Sequence, residues 1–151
     1  MKKQASSLKS AKRYLFFCVG EERFGIEISW VLEIVPFSDA IPLPRAADFI
    51  LGMMNLRGRN IPIVDLSRRL GIPKRAANPF EVVILVRFSE IEAGFLVDEV
   101  NEVGSEKDEL LSAQKLDTLE ESYAENIIKE RHQQAVVILK PEVLLKNLIL
   151  S

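Results

Sequence analysis

Side chains able to do chemistry are few in this chain of 151 residues. A zinc site draws on several Cys or His ligands, and the sequence holds one of each, Cys18 and His132. Cys18, inside Leu15-Phe16-Phe17-Cys18-Val19, reads as a small buried hydrophobe rather than a nucleophile. His132, between Arg131 and Gln133, reads as a surface imidazole. There is no Gly-x-Gly-x-x-Gly, no phosphate loop and no Gly-x-Ser-x-Gly elbow. Glu102, Glu106, Asp108 and Glu109 form a solvated acidic run rather than a pair of catalytic acids. The expectation is a protein without catalytic residues, bound metal or cofactor.

One charged residue stands apart. Arg57 lies in Asn55-Leu56-Arg57-Gly58, a polar corner between two strand-like apolar runs in residues 50–66. Asn and Gly suit backbone with positive φ, so the corner reads as a tight hairpin connection that holds a cation at a defined place and angle.

The elements that must position Arg57 follow from the pattern. Residues 1–12 are rich in Lys, Ser and Gln and read as a disordered lead-in. Residues 14–19 are a continuous apolar run, and Phe24-Gly25-Ile26-Glu27-Ile28 alternates as a half-buried strand does. Ser29 is a candidate cap for a short helical or turned segment over residues 30–35. Pro36, Pro42 and Pro44 keep the chain extended or turning, and Leu66-Ser67-Arg68-Arg69-Leu70 is a short helix closed by Gly71. Residues 73–79 are breaker-rich, and beyond them the pattern restarts with strands at 82–86 and 94–97. Residues 104–126 read as a longer polar loop with one helical turn. Pro141 opens a terminal helix over 141–151 whose leucines pack across the rest.

The restart is a repeat. Gly25-Ile26-Glu27-Ile28-Ser29-Trp30-Val31-Leu32-Glu33-Ile34 aligns without a gap on Gly94-Phe95-Leu96-Val97-Asp98-Glu99-Val100-Asn101-Glu102-Val103, at an offset of 69 (94 − 25). Ile61-Pro62-Ile63-Val64-Asp65-Leu66 aligns on Val136-Val137-Ile138-Leu139-Lys140-Pro141, at an offset of 75 (136 − 61). Two halves of about five short strands, 13–71 and 82–146, therefore form one domain over 13–146. Each half is small for a stable core, so the two should pack together as small antiparallel barrels.

The repeat also singles out candidate binding residues. At an offset of 75, Asn55 meets Glu130, Arg57 meets His132 and Gly58 meets Gln133. A corner needed merely to close a hairpin should look alike in both halves, so this one is either a private turn or a binding feature. Glu33 has a counterpart in Glu102 and is expected to approach Arg57 and orient its fork. Ile28, Trp30, Val31, Ile34 and Met53 are apolar candidates for a docking surface around it, with core packing the competing reading for Ile28 and Val31. Trp30 aligns with Glu99, which points it outward, and an exposed Trp beside an Arg has the composition of an interface hot spot.

Composition narrows the class. Lys plus Arg number 20 against 22 Asp plus Glu, a formal net charge of -2, which counts against nucleic-acid binding. A small barrel binding single-stranded nucleic acid is the alternative reading, resting on Arg45, Arg57, Arg59, Arg68, Arg69, Lys74 and Arg75. It would need exposed aromatics interleaved with them, whereas the aromatics sit mostly inside strands. No apolar run approaches the roughly 18 residues of a membrane span, and the amino end lacks an apolar signal region. A single cysteine fits a reducing compartment, so a cytoplasmic protein without membrane insertion is expected.

The chain resembles the CheW family, the coupling proteins of bacterial chemotaxis arrays. The residues that carry the likeness are Phe24-Gly25-Ile26-Glu27-Ile28 with Val31-x-Glu33-Ile34, Pro42-x-Pro44 and Phe49-Ile50-x-Gly52. They continue with Asn55-Leu56-Arg57-Gly58-x-x-Ile61-Pro62-Ile63-Val64-Asp65-Leu66 and Gly94-Phe95-Leu96-Val97-Asp98-Glu99-Val100. The amino half is the better match, since Ile138-Leu139-Lys140-Pro141 and Arg131-His132-Gln133-Gln134 depart from the pattern. The resemblance implies an all-β fold of two interlocked five-stranded SH3-like barrels with short helices and a C-terminal helix. It implies an adaptor without catalysis, bridging the regulatory domain of a CheA-type histidine kinase and the cytoplasmic coiled-coil tips of chemoreceptors.

Overall fold

The computed structural model describes residues 12–73, 79–105, 110–111, 124–129 and 135–145. Eleven strands are described: β1 Arg13–Val19, β2 Glu22–Glu27, β3 Val31–Pro36, β4 Ile50–Leu56, β5 Arg59–Asp65, β6 Val82–Phe88, β7 Ile91–Val97, β8 Glu99–Ser105, β9 Leu110–Leu111, β10 Ala124–Lys129 and β11 Ala135–Leu139. Two short helices join them, α1 Leu66–Leu70 and α2 Pro141–Leu144.

The strands form two sheets. One runs β8-β1-β2-β11-β10-β9 and the other β3-β6-β7-β5-β4. Each sheet takes strands from both halves of the sequence, which is the interlock the resemblance implied. The first counts six strands because the two-residue β9 adds to β10. The sheets are not wholly antiparallel as expected, because β11 joins β2 and β5 joins β7 in parallel. A strand that crosses from its own half into the other arrives from a long connection, and such a connection permits parallel pairing.

Register shows how faithful the repeat is. The β1–β2 hairpin pairs Val19 with Glu22 and the β6–β7 hairpin pairs Phe88 with Ile91, each 69 residues on. The edge strands pair Leu15 with Val103 and Ile84 with Ile34, again at that offset, with a bulge at the same place in each. At the parallel crossings Ile138 lies opposite Gly25 and Ile63 opposite Gly94. A Cβ on Gly25 would stand 2.7 Å from Ile138 Cδ1, and one on Gly94 would stand 2.9 Å from Ile63 Cδ1 and 2.5 Å from Val83 Cγ1. The glycines that open each repeat are therefore the sites where the other half's last strand presses in.

Three apolar clusters result. Val35, Met54, Ile61, Ile63, Val83, Leu85 and Leu96 fill one barrel, and Tyr14, Phe16, Val136 and Ile138 fill the other. The largest lies between them and draws on both sheets, with Phe17, Ile26, Val64, Ile84 and Phe95 fully enclosed and Leu144 and Leu145 closing over it. Of the helix expected over 141–151, α2 covers Pro141–Leu144 and is capped at Leu145, both leucines being buried; residues 146–151, like residues 1–11 of the lead-in, lie outside the described residues.

Two local expectations change. The helical segment foreseen at residues 30–35 is a single 3₁₀ turn, Ile28–Trp30, followed by strand β3. Val31, Ile34 and Val35 are β-branched and pair with β6, which outweighs a local helix. Ser29 makes no cap; its hydroxyl donates to Glu27 Oε2 at 3.3 Å. At 104–126, β8 reaches Ser105, β9 occupies 110–111 and β10 begins at Ala124, while the helical turn expected there falls outside the described residues.

Candidate functional site

Arg57 and Gly58 are the two central residues of the β4–β5 hairpin, between the paired Leu56 and Arg59. Their φ values are 51° and 85°. Positive φ at both positions is the signature of a type I′ turn, whose twist suits a hairpin. The arginine, not the asparagine, therefore takes the conformation that disfavours a side chain. Asn55 sits one step earlier, at the end of β4, where its Oδ1 accepts from Gly58 N at 3.4 Å and its Nδ2 donates to Asn60 Oδ1 at 3.4 Å. It braces the turn from outside.

The turn throws Arg57 toward β3. Its NH1 donates to Glu33 Oε1 at 3.0 Å and its NH2 to Glu33 Oε2 at 2.6 Å, a two-pronged pairing of guanidinium and carboxylate. β3 and β4 are the two edges of their sheet, so this pair bridges the seam where the barrel closes. The Arg57 hydrogen bond, aided by its charge and that of Arg59, holds the Glu33 carboxyl below its ordinary value. The same contact raises Arg57 further. Beside them Arg59 pairs with Glu92. Both pairs are open to solvent, so they orient side chains more than they stabilise the fold.

The apolar candidates separate. Trp30 is half-buried, not outward: its ring lies 4.9 Å from that of Phe88, and it packs on the inter-barrel core. Val31 is also half-buried on that core, and Ile28 and Met53 are half-buried. Ile34 is 43% exposed, as a docking residue needs to be. Leu32, 46% exposed, is one that sequence reasoning missed. It is the extra residue of the β3 bulge, between the paired Val31 and Glu33, on a strand that exposes residues 32, 34 and 36 in alternation. The repeat carried the signal, for Leu32 aligns with Asn101 at the corresponding bulge of β8.

The structure also corrects the alignment at the corner. β4 pairs Asn55 with Asn60, and β10 pairs Lys129 with Ala135 at the matching position, so Asn55 corresponds to Lys129 rather than Glu130. Four residues, 56–59, connect one pair and five, 130–134, the other. The turn of Arg57 and Gly58 has no one-to-one counterpart, and His132 lies outside the described residues.

Other chemistries find little support. Among the described residues no group of three His, Cys, Asp or Glu side chains could hold a metal, and no helix is long and apolar enough to cross a membrane. The single-stranded nucleic-acid reading lacks interleaved aromatics: Tyr14, Phe16, Phe17, Phe24 and Phe95 are buried, and Phe80 is the one largely exposed aromatic among the described residues. Of its cations, Arg57, Arg59 and Arg68 pair with Glu33, Glu92 and Asp65, while Arg69 bonds the Val143 and Leu144 carbonyls.

Residues 13–148 match the family described as CheW-like domain. "Chemotaxis protein CheW" of Rhizobium meliloti (strain 1021) is 36% identical over 104 residues, 68% of this chain and 67% of that protein. A protein of the same description from Thermotoga maritima is 35% identical over 100 residues, 66% of this chain and 65% of that one. These alignments span about two thirds of those relatives' own lengths. Among solved structures, scaffolding protein TtCheW from Thermoanaerobacter tengcongensis superposes with a TM-score of 0.83 at 30% identity, over 93% of this chain and 98% of that one. The interlocked pair of small barrels is thus the fold of a solved scaffolding protein, and the chain belongs to the CheW-like domain family.

Proposed function

We propose that this chain is a non-catalytic, cytoplasmic signalling adaptor that couples the cytoplasmic tips of chemoreceptor coiled coils to the regulatory domain of a CheA-type histidine kinase. It works by protein–protein contact, without cofactor, nucleic acid or membrane insertion. The observation that carries the reading is the β3 rim, where exposed Leu32 and Ile34 flank the bridged Glu33–Arg57 pair. Exposed aliphatics around a fixed polar centre are the makings of a small docking surface. Asn55 and Gly58 set the turn that aims Arg57, Val31 and Trp30 back the rim from the inter-barrel core, and Ile28 is half-buried in the 3₁₀ turn that precedes it. This rim meets the receptor helices. The β8 edge, with exposed Val103 and Glu102 in the matching register, is a second surface for the kinase.

The test is capture of a soluble receptor-tip fragment and, separately, of the kinase regulatory domain. Arg57→Ala, Ile34→Glu and Leu32→Glu should each weaken the receptor complex by about tenfold or more, as hot-spot changes do, while leaving the kinase complex in place. Undiminished receptor capture by all three would move the site elsewhere.

A further inference from the structure

Between β7 and β8 the chain leaves one sheet for the other through a single residue. β7 belongs to the five-stranded sheet and β8 to the six-stranded one, and Asp98 alone joins Val97 to Glu99. Asp98 is 6% exposed, and bonds at both its amide and its carboxylate tie it to the β1–β2 hairpin. The amide donates to the Cys18 carbonyl at 3.0 Å, and Oδ2 accepts from Gly20 N at 2.6 Å. A backbone amide bonded to a buried carboxylate is a strong and directed contact. The hairpin turn has no room to shift away from it. A Cβ on Gly20 would stand 2.8 Å from the Pro73 carbonyl oxygen and 2.9 Å from Ile72 Cγ2. The turn is therefore wedged between Asp98 and the chain leaving α1.

The matching corner of the other half is built otherwise. β2 passes to β3 through the 3₁₀ turn Ile28–Trp30, and Ser29, which aligns with Asp98, is exposed and donates to Glu27 two residues back. The hairpin turns themselves agree: Gly20 and Ser89, at the repeat offset of 69 (89 − 20), have φ values of 61° and 62°. The buckle between hairpin and corner is thus a feature of the β8 side and not a requirement of the repeat.

Resting on the assignment of the β8 margin to the kinase, we propose that Asp98 is a positioning residue for that margin. It buttons the sheet-changing corner to the β1–β2 turn and so fixes the course on which β8 sets out along β1. β8 pairs Glu99 with Cys18, the residue whose carbonyl Asp98 holds, so the register starts at the buckle. Glu99, Asn101, Glu102 and Val103, which β8 exposes, take their places from that start. Asp98 itself is buried and acts through β8, not by contact with the kinase.

The test captures the kinase regulatory domain and the soluble receptor-tip fragment in parallel on the full chain, with amide hydrogen exchange of the free protein. Asp98→Ala should weaken kinase capture by about tenfold or more and leave receptor capture within about threefold, a split that a loss of fold stability alone would not produce. Exchange at Gly20 and along β8 should rise about tenfold or more, while amides of β4 and β5 change by less than about threefold. Asp98→Asn, which keeps an acceptor oxygen of the same reach, should hold the kinase within about threefold of the parent. Equal loss of both captures, with exchange rising throughout the chain, overturns the proposal, since Asp98 then only stabilises the fold. Kinase capture retained by Asp98→Ala but lost by Val103→Glu overturns it too. If Val103→Glu also captures the kinase undiminished, the β8 margin is not the kinase surface, and exchange along β8 decides whether Asp98 positions the strand. Should Asp98→Ala fail to fold, Asp98→Ser, which installs the side chain of the matching corner, replaces it in every arm.

Discussion

At one crossing Ile138 of β11 lies against Gly25 of β2; at the other Ile63 of β5 lies against Gly94 of β7. Hairpin registers and bulges agree as closely between the halves. The margins do not. One edge carries Leu32, Glu33 and Ile34 beside a two-residue arginine turn, and the other carries Asn101, Glu102 and Val103. What two halves of one chain keep in common is what both need in order to fold. What they do not share is free to serve a partner. The comparison divides the molecule into a symmetric frame and an asymmetric rim.

The frame should break hardest where backbone meets backbone. Gly52 has φ 147°, and a side chain there would overlap the Ile41 carbonyl, which bonds the Met53 amide at 2.8 Å as the 37–49 loop crosses β4. Asn126 takes the matching place in β10, where β9 makes the corresponding contact by pairing Leu111 with Ile127. Gly52→Ala should cost about 3 kcal/mol in urea unfolding, from strain and overpacking together. At the shared crossings, Gly25→Ala and Gly94→Ala should each cost about 1–3 kcal/mol, and by similar amounts, because only side-chain ends must give way. Unequal costs would show that the halves are less alike in packing than in register.

The helices offer a finer contrast. Asp65 caps α1 by accepting from Ser67 N at 3.1 Å and Ser67 Oγ at 2.7 Å, whereas Lys140 precedes α2 without a side-chain cap. Asp65→Ala should cost about 1 kcal/mol or somewhat more, and Lys140→Ala less than about 0.5 kcal/mol, by thermal or urea melts.

The smallest effects on stability belong to the rim. Arg57→Ala and Glu102→Gln should each leave the melting temperature within about 2 °C of the parent, since an open pair and an exposed carboxylate contribute little. A shallow acid dependence should follow Glu33. Its folded value lies below its ordinary 4.5, so its contribution is complete above that value and is lost as pH falls through the depressed one. Glu33→Gln should remove this limb of a stability–pH profile and leave the neutral range unchanged.

Much of the frame was legible because periodicity and repetition are local signals. Alternation marked β2, the strings opened by Gly25 and Gly94 marked the repeat, and Gly71 marked the end of α1, where its φ is 70°. The pairing of β11 with β2 was not readable from pattern, because alternation tells which face a strand buries and not which strand lies beside it. Trp30 misled because its counterpart is polar, yet Phe88 lies close enough to cover one side of its ring. Leu32 was hidden because its apolar side chain reads as core, although β3 exposes residues 32, 34 and 36 in alternation. The Glu33–Arg57 approach could be foreseen because the Asn-Leu-Arg-Gly corner fixes a cation in a turn, where a carboxylate can orient its fork.

The interlock also sets an order of assembly as the chain leaves the ribosome. The barrel of β3 to β7 is complete once residue 97 has emerged, and its parallel crossing joins residues only 31 apart (94 − 63). The other barrel waits for β11, whose contact with β2 spans 113 residues (138 − 25). Long-range pairing is slow and leaves strands uncovered meanwhile. β1 and β2 are therefore made first but roofed last, and the barrel that bears Arg57 can be in place before they are.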